Sequence, residues 1–239
     1  MLEYLRSQRL IRKFRLFAAA CCRTNTKLIL KVGHGYRAIA VVEALADGLP
    51  VPDDLSALRD RLERESYNFM RIDVSNPPKE DYVIYHAGGA VYHALQDEQL
   101  FSNVPILLGR QHHADDLLAA AFYVACAAAH WERKTTRDQV NERIYQRVLT
   151  GLVPLAHDIL GNPFHPPRLL DEAWLKWNDA IVVKIAAAIY EDRGFDQLPI
   201  LADALEEAGC CDPEILTHLR SPGPHALGCW APDRLLQKK

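Results

Sequence analysis

The sequence lacks the short motifs that assign an activity on their own. It contains no Gly-x-Gly-x-x-Gly, no Gly-Lys-Ser/Thr, no Gly-x-Ser-x-Gly, no His-Glu-x-x-His and no Cys-x-x-Cys. The first two bind nucleotide phosphates, and the others hold nucleophiles, catalytic metals or redox pairs. Their absence argues against a nucleotide-driven enzyme and against the common hydrolases.

Long apolar runs are also missing. The longest uncharged stretch of this kind, Leu117–Trp131, has fifteen residues, fewer than the about 20 that a membrane-spanning helix needs. The run between Arg15 and Arg23 resembles a lipoprotein signal, but its seven residues lie at the lower edge for an export signal. We therefore predict no membrane segment.

The six cysteines predict reduced thiols. Four of them form two adjacent pairs, Cys21-Cys22 and Cys210-Cys211, and neighbouring cysteines rarely bridge to each other, so they make a poor disulfide framework. Together with the missing export signal, this pattern favours a cytoplasmic location.

Acidic residues are scarce at the amino terminus. Residues 1–40 contain nine basic side chains and one acid, Glu3, so this segment carries a formal charge of +8 while the remainder carries −11. Two interpretations follow. The basic side chains bind nucleic-acid phosphates, or they pack against the acidic residues of the same chain, which we favour because no aromatic stacking pattern accompanies them. The candidate phosphate-binding residues are Arg9, Arg12, Lys13 and Arg15.

Apolar residues recur at spacings of three and four along most of the chain, which predicts an all-α fold. No strand pattern recurs, and residues 81–96 are the most ambiguous, because Gly88-Gly89 and β-favouring residues interrupt a helical spacing. We expect an irregular multi-helix bundle with a short Pro/Gly-rich carboxy-terminal subdomain. The first predicted helix ends near Cys22, and the others cover Tyr36–Asp47, Pro52–Phe69, His112–Trp131, Thr135–Leu160, Asp171–Glu191, Asp196–Ala208 and Pro213–Leu219.

The Pro-rich connector that begins at Gly161 suggests a division of the chain. Residues 1–160 are predicted to form a helical body with the basic amino-terminal helix. Residues 161–239 are predicted to form a subdomain that packs on it, although a single domain is the alternative.

Both ends of the chain resemble one group of proteins. The stretches GNPFHPP, AIYEDRGFDQLPILADALEEAGCCDPEILTHLR and SPGPHALGCWAPDRLL are similar to the carboxy-terminal signature of a paralogous group of uncharacterised planctomycete proteins. The opening MLEYLRSQRLIRKFRLFAAACCR resembles that group's basic helix ending in two cysteines, and the group's pattern leads us to expect a short leader before Met1. The resemblance implies a shared fold and a bacterial cytosolic setting, and it implies no activity.

The carboxy-terminal signature contains a candidate zinc-ligand set. Cys210, His218, His225 and Cys229 are spaced C-x7-H-x6-H-x3-C, and two thiolates with two imidazoles suit tetrahedral zinc. Cys211 is an equal candidate for the first ligand. The alternative is that both cysteines are buried core residues and the histidines bond to backbone. Four protein ligands would make any zinc structural.

Two weaker constellations involve other acids and histidines. The central residues His112, His113, Asp115 and Asp116, with His86 and His93, offer ligands for a catalytic zinc or iron, but a polar first helical turn explains the first four as well. The acids of residues 191–207 offer paired carboxylates, although surface ion pairs are the commoner use of such residues.

Our leading hypothesis is a non-catalytic cytosolic helical protein that acts through protein contacts, with a carboxy-terminal subdomain clipped by zinc. The alternatives are a metal-dependent hydrolase that uses the central histidines and a nucleic-acid binder that uses the basic amino-terminal helix.

Binding of labelled DNA and RNA at two salt concentrations separates the two uses of the basic segment. We expect weak binding, and a lower melting temperature for the charge-reversed variant Arg9→Glu/Arg12→Glu/Arg15→Glu, because its side chains then oppose the chain's own acids. Sub-micromolar binding that falls steeply with salt through counterion release, with an unchanged melting temperature, would contradict this.

Overall fold

The computed structural model describes residues 11–67, 87, 89–91, 95, 142–162 and 170–238. These residues form nine α-helices and one 3₁₀ helix, Phe195–Gln197, and contain no strand. The predicted all-α class is therefore confirmed. The α-helices are α1 (Ile11–Thr24), α2 (Thr26–Ile29), α3 (Gly35–Ala46), α4 (Leu55–Tyr67), α5 (Glu142–Leu160), α6 (Glu172–Asp192), α7 (Leu198–Glu207), α8 (Pro213–Leu219) and α9 (Trp230–Leu235).

The chain divides into two compact units. One covers Ile11–Val153 and the other includes Pro154–Lys239. Pro154 lies inside α5, and the helix continues through it to Leu160. The last turns of α5 therefore belong to the carboxy-terminal unit.

In the amino-terminal unit, α1 packs against α3. Phe14 and Phe17 of α1 are buried, together with the alanines that follow them and with Cys21 and Cys22. An amphipathic helix that buries this much of its circumference contributes to a core rather than to a surface. Burial raises the pKa of Cys22 to about 12, so this thiol stays protonated at neutral pH.

Basic side chains of the +8 segment pair with acids of their own unit. Arg12 Nε lies 2.8 Å from Asp47 Oδ1. Arg23 binds Glu43 with two hydrogen bonds of 2.7 and 2.8 Å. Glu43 is buried, so its carboxylate needs a charged partner. We expect contacts of this kind if the basic segment packs against acidic residues of the same chain.

In the carboxy-terminal unit, α6 to α9 enclose one apolar core. Asp171 and Asp212 cap α6 and α8 by accepting hydrogen bonds from backbone N–H groups two residues ahead, as N-cap aspartates do. Residues at helical spacing point inward from each helix. The core includes Val182, Ile189, Leu198, Leu201, Leu205, Cys210, Ile215, Leu219 and Leu235.

Helix α6 is interrupted near its start. Trp177 is extended, and Asn178, Asp179 and Ala180 have positive φ angles of 45°, 57° and 58°. Asn and Asp enter this left-handed region at lower cost than most residues because their short side chains bond locally. The predicted continuous helix Asp171–Glu191 is thus two helical pieces.

Helix prediction failed for the two shortest α-helices of the described part. The sequence did not predict α2 or α9, which have four and six residues, too few to show a periodic pattern. Within residues 81–96, Ala87 and residues 89–91 are helical. The predicted helix His112–Trp131 lies outside the described residues. Among the helices of the described part, none is long and apolar enough to cross a membrane.

Replacing Arg23 with Gln should lower the free energy of unfolding by about 2 kcal/mol, because the buried Glu43 carboxylate loses its bidentate partner. The matched control is Arg37→Gln, since Arg37 and Asp54 form an exposed pair, and solvent screening should make its loss cost much less. Urea unfolding of both variants measures the difference. Equal losses would show that burial of the carboxylate is unimportant.

Candidate metal centre

Asp158 lies on the buried face of α5. Leu155, one helical turn before it, and Ile159, the next residue, are buried, as is Asp158 itself. An acid within an apolar stripe needs a partner, because an unpaired buried charge is costly. Sequence reasoning did not single out Asp158, although its position in this stripe was the available signal.

His218 and His225 come from α8 and from the loop after it. Helix α8 buries Ile215, Leu216 and Leu219, and His218 occupies its last turn. Ser221 Oγ donates a hydrogen bond of 2.8 Å to the His218 carbonyl oxygen, which closes the helix end. The loop then carries His225 back over α5, where its ring reaches Asp158.

Gly223 allows the loop to make this turn. Its φ is +83°, and a Cβ at this position would lie 2.7 Å from the backbone nitrogen of His225. Only glycine combines this φ with so close an approach. The loop ends at Cys229, which is buried and is the N-cap of α9.

Four donor atoms from these residues converge. Asp158 Oδ1 lies 2.6 Å from His225 Nδ1 and 3.2 Å from His218 Nε2. Cys229 Sγ lies 3.1 Å from His218 Nε2 and 4.0 Å from His225 Nδ1. All four ligand atoms lie within 4.8 Å of one another. This group of Asp158, His218, His225 and Cys229, which we call the DHHC cluster, can hold a metal ion.

The arrangement does not match a catalytic triad. In a Cys-His-Asp triad the thiol and the carboxylate contact different nitrogens of one imidazole. Here the same atom, His218 Nε2, faces both Cys229 Sγ and Asp158 Oδ1. Cys229 is also 1% exposed, whereas reactive cysteines are partially exposed.

Contacts outside the cluster orient two of its members. The Ala226 N–H donates to Asp158 Oδ2 at 3.0 Å, which leaves Oδ1 to face the centre. His225 Nε2 lies 3.1 Å from the Ser221 carbonyl oxygen. When Nε2 carries the proton and donates it there, Nδ1 presents its lone pair to the centre, as in metal-binding histidines whose other ring nitrogen donates to a backbone carbonyl.

Both nitrogens of His225 face acceptors, which favours a positive charge at this site. A neutral imidazole has one N–H and satisfies one acceptor only. Burial lowers the pKa of His225, but the hydrogen bond with Asp158 and the Ser221 carbonyl raise it above its usual value. Burial raises the pKa of Asp158, and the surrounding hydrogen bonds, first from His218 and His225, outweigh burial and lower it. A metal cation or a proton supplies the charge.

The structure brings together three of the four residues in the predicted zinc set. His218, His225 and Cys229 belong to the DHHC cluster, with Asp158 as the fourth member. Cys210 lies instead in the apolar core, where burial raises its pKa. Cys211 is exposed. Spacing within one segment could not reveal Asp158, which lies 67 residues before His225.

The other sequence-predicted constellations have different outcomes. Among the acids of residues 191–207, Asp203 and Glu206 both form ion pairs with Arg220 on the protein surface. The central histidines and aspartates, His86, His93, His112, His113, Asp115 and Asp116, lie outside the described residues.

An open pocket of about 580 Å³ adjoins one side of the DHHC cluster. His218 is the cluster member that lines it, and the Trp230 ring packs against His218 with centroids 4.8 Å apart. The lining residues are His157, Gly161, Asn162, Pro213, Glu214, Thr217, His218, Ser221 and Trp230.

Comparison with known proteins adds no relative: no family model, no curated protein and no solved structure matches this chain.

Replacing Gly223 with Ala tests the loop that carries His225. Gly209 has a similar φ of +91°, but no atom lies within 4 Å of the place that a Cβ would take there, so Gly209→Ala isolates the backbone cost of about 1–2 kcal/mol. Gly223→Ala should cost about 1–3 kcal/mol more, because its Cβ also displaces His225. Urea unfolding measures both, and equal losses would contradict the close approach.

Proposed function

We propose that this protein is a non-catalytic helical interaction module whose carboxy-terminal unit is held together by a structural zinc ion in the DHHC cluster. The observation that carries the proposal is the convergence of Asp158, His218, His225 and Cys229 on one buried point. Carboxylate, imidazole and thiolate are all established zinc ligands.

The distances in the cluster support a tetrahedral ion. Zinc bonds of about 2.0–2.3 Å imply ligand separations of about 3.3 Å between nitrogen or oxygen atoms and about 3.6 Å to sulfur. In the cluster, the two nitrogen–oxygen separations of 2.6 and 3.2 Å lie below the first value, the two separations to sulfur of 3.1 and 4.0 Å bracket the second, and all four atoms lie within 4.8 Å of one another. Small side-chain shifts therefore suffice to accommodate the ion.

A structural role fits better than a catalytic one. Four protein ligands fill a tetrahedral shell and leave no position for water or substrate. The ion would join the end of α5 to the loop before α9, which closes a long loop of chain. Binding free energy at such a site contributes directly to folding.

The interaction role and the cellular setting rest on the sequence. No catalytic motif is present, and the paired cysteines favour a reducing cytoplasm. The similarity of both chain ends to a planctomycete group supports a bacterial origin. Hydrolysis by the central histidines and nucleic-acid binding through Arg9, Arg12, Lys13 and Arg15 remain the alternative hypotheses.

Protein purified without chelators should contain about one equivalent of zinc by elemental analysis. Asp158→Ala and Cys229→Ser should each lose it, because each removes one ligand atom. Cys210→Ser is the matched control and should keep the zinc, since Cys210 lies in the apolar core. This comparison separates the DHHC cluster from the set predicted by sequence spacing.

The folding contribution is measured on the same proteins. Zinc removal should lower the melting temperature of the parent protein and of Cys210→Ser, and leave that of Asp158→Ala unchanged. An absence of metal from the parent protein, with no binding of added Zn²⁺, would overturn the proposal.

A further inference from the structure

The four members of the DHHC cluster differ in their access to solvent. The side chains of Asp158 and His225 are 2% and 7% exposed, and Cys229 is 1% exposed, whereas the side chain of His218 is 19% exposed. A metal ion or a chelator approaches a buried site through its most accessible ligand. In this cluster that ligand is His218.

The side chains of Asp158 and His225 are also held by backbone groups, whereas the described contacts of the His218 ring are with other side chains. Asp158 accepts a backbone hydrogen bond from Ala226, and His225 bonds to the carbonyl of Ser221. The ring of His218, in the last turn of α8, has its polar contacts with the side chains of Asp158 and Cys229. Its ring packs on Trp230, a contact that allows sliding more readily than a directional hydrogen bond does.

The space into which His218 would move is the open pocket of about 580 Å³. Its wall also carries His157 and Glu214, whose imidazole and carboxylate are zinc-binding groups. An ion that leaves the cluster through this pocket therefore meets further donors before it reaches bulk solvent.

We propose that this pocket is the route by which zinc enters and leaves the DHHC cluster, with His218 as the ligand that dissociates first and a small metal chelator as the molecule that the pocket admits. The proposal rests on the zinc site of the proposed function. It makes the zinc exchangeable with small cellular chelators rather than permanently enclosed.

Blocking the pocket in the folded, zinc-loaded protein tests the route. Thr217 is exposed and lines the pocket, so Thr217→Cys in a Cys211→Ser background places a thiol at its mouth. After zinc loading, this thiol is alkylated with maleimides of increasing size. Glu207→Cys in the same background is the control, because Glu207 is exposed on α7 and does not line the pocket.

The readout is the rate of zinc transfer to 4-(2-pyridylazo)resorcinol in stopped flow. We expect the largest label at residue 217 to slow transfer by about tenfold, the rate effect of about 1.4 kcal/mol in the barrier, and the label at 207 to have no effect. Equal rates, or equal slowing at both positions, would overturn the pocket route while leaving the zinc site intact. Absence of zinc from the parent protein would overturn both proposals.

Discussion

The buried carboxylate of Asp158 is the group on which the carboxy-terminal site depends. It receives the Ala226 N–H on one oxygen and faces His218 and His225 with the other. An acid that is 2% exposed is stable as an anion only where donors or cations surround it. The loop after α8 supplies them, so the position of that loop over α5 and the charge of Asp158 stabilise each other.

The need of the buried Asp158 anion for a cationic partner also explains why a metal ion would fit the site. Oxygen, sulfur and two nitrogens converge there, and each can act as an acceptor or ligand. Without a metal, these acceptor atoms can lie close together only if protons are shared between them. The raised pKa of His225, which favours its protonated form, is consistent with this. A divalent cation would satisfy all four atoms at once, and the hydrogen bonds from Ala226 and to Ser221 orient Asp158 and His225.

In the amino-terminal unit, acidic side chains are likewise paired with cationic partners. The +8 segment looks like a phosphate-binding arm when only its charge is considered. In the structure, Arg12 and Arg23 contact Asp47 and Glu43 of α3 and its end, while Phe14 and Phe17 are buried. Charge patterns along a chain do not reveal such pairing, because they omit the acids that folding brings near.

The sequence by itself determined the helical class, the approximate bounds of several helices and three members of the candidate site. Helical periodicity is local, so Tyr36–Asp47 and Pro213–Leu219 were predicted almost to the residue. Only the tertiary structure decided that Asp158 joins the site and that Cys210 lies in the core. Which residues share a buried point depends on how helices distant in sequence pack together, and the spacing of residues within one segment contains no information about that.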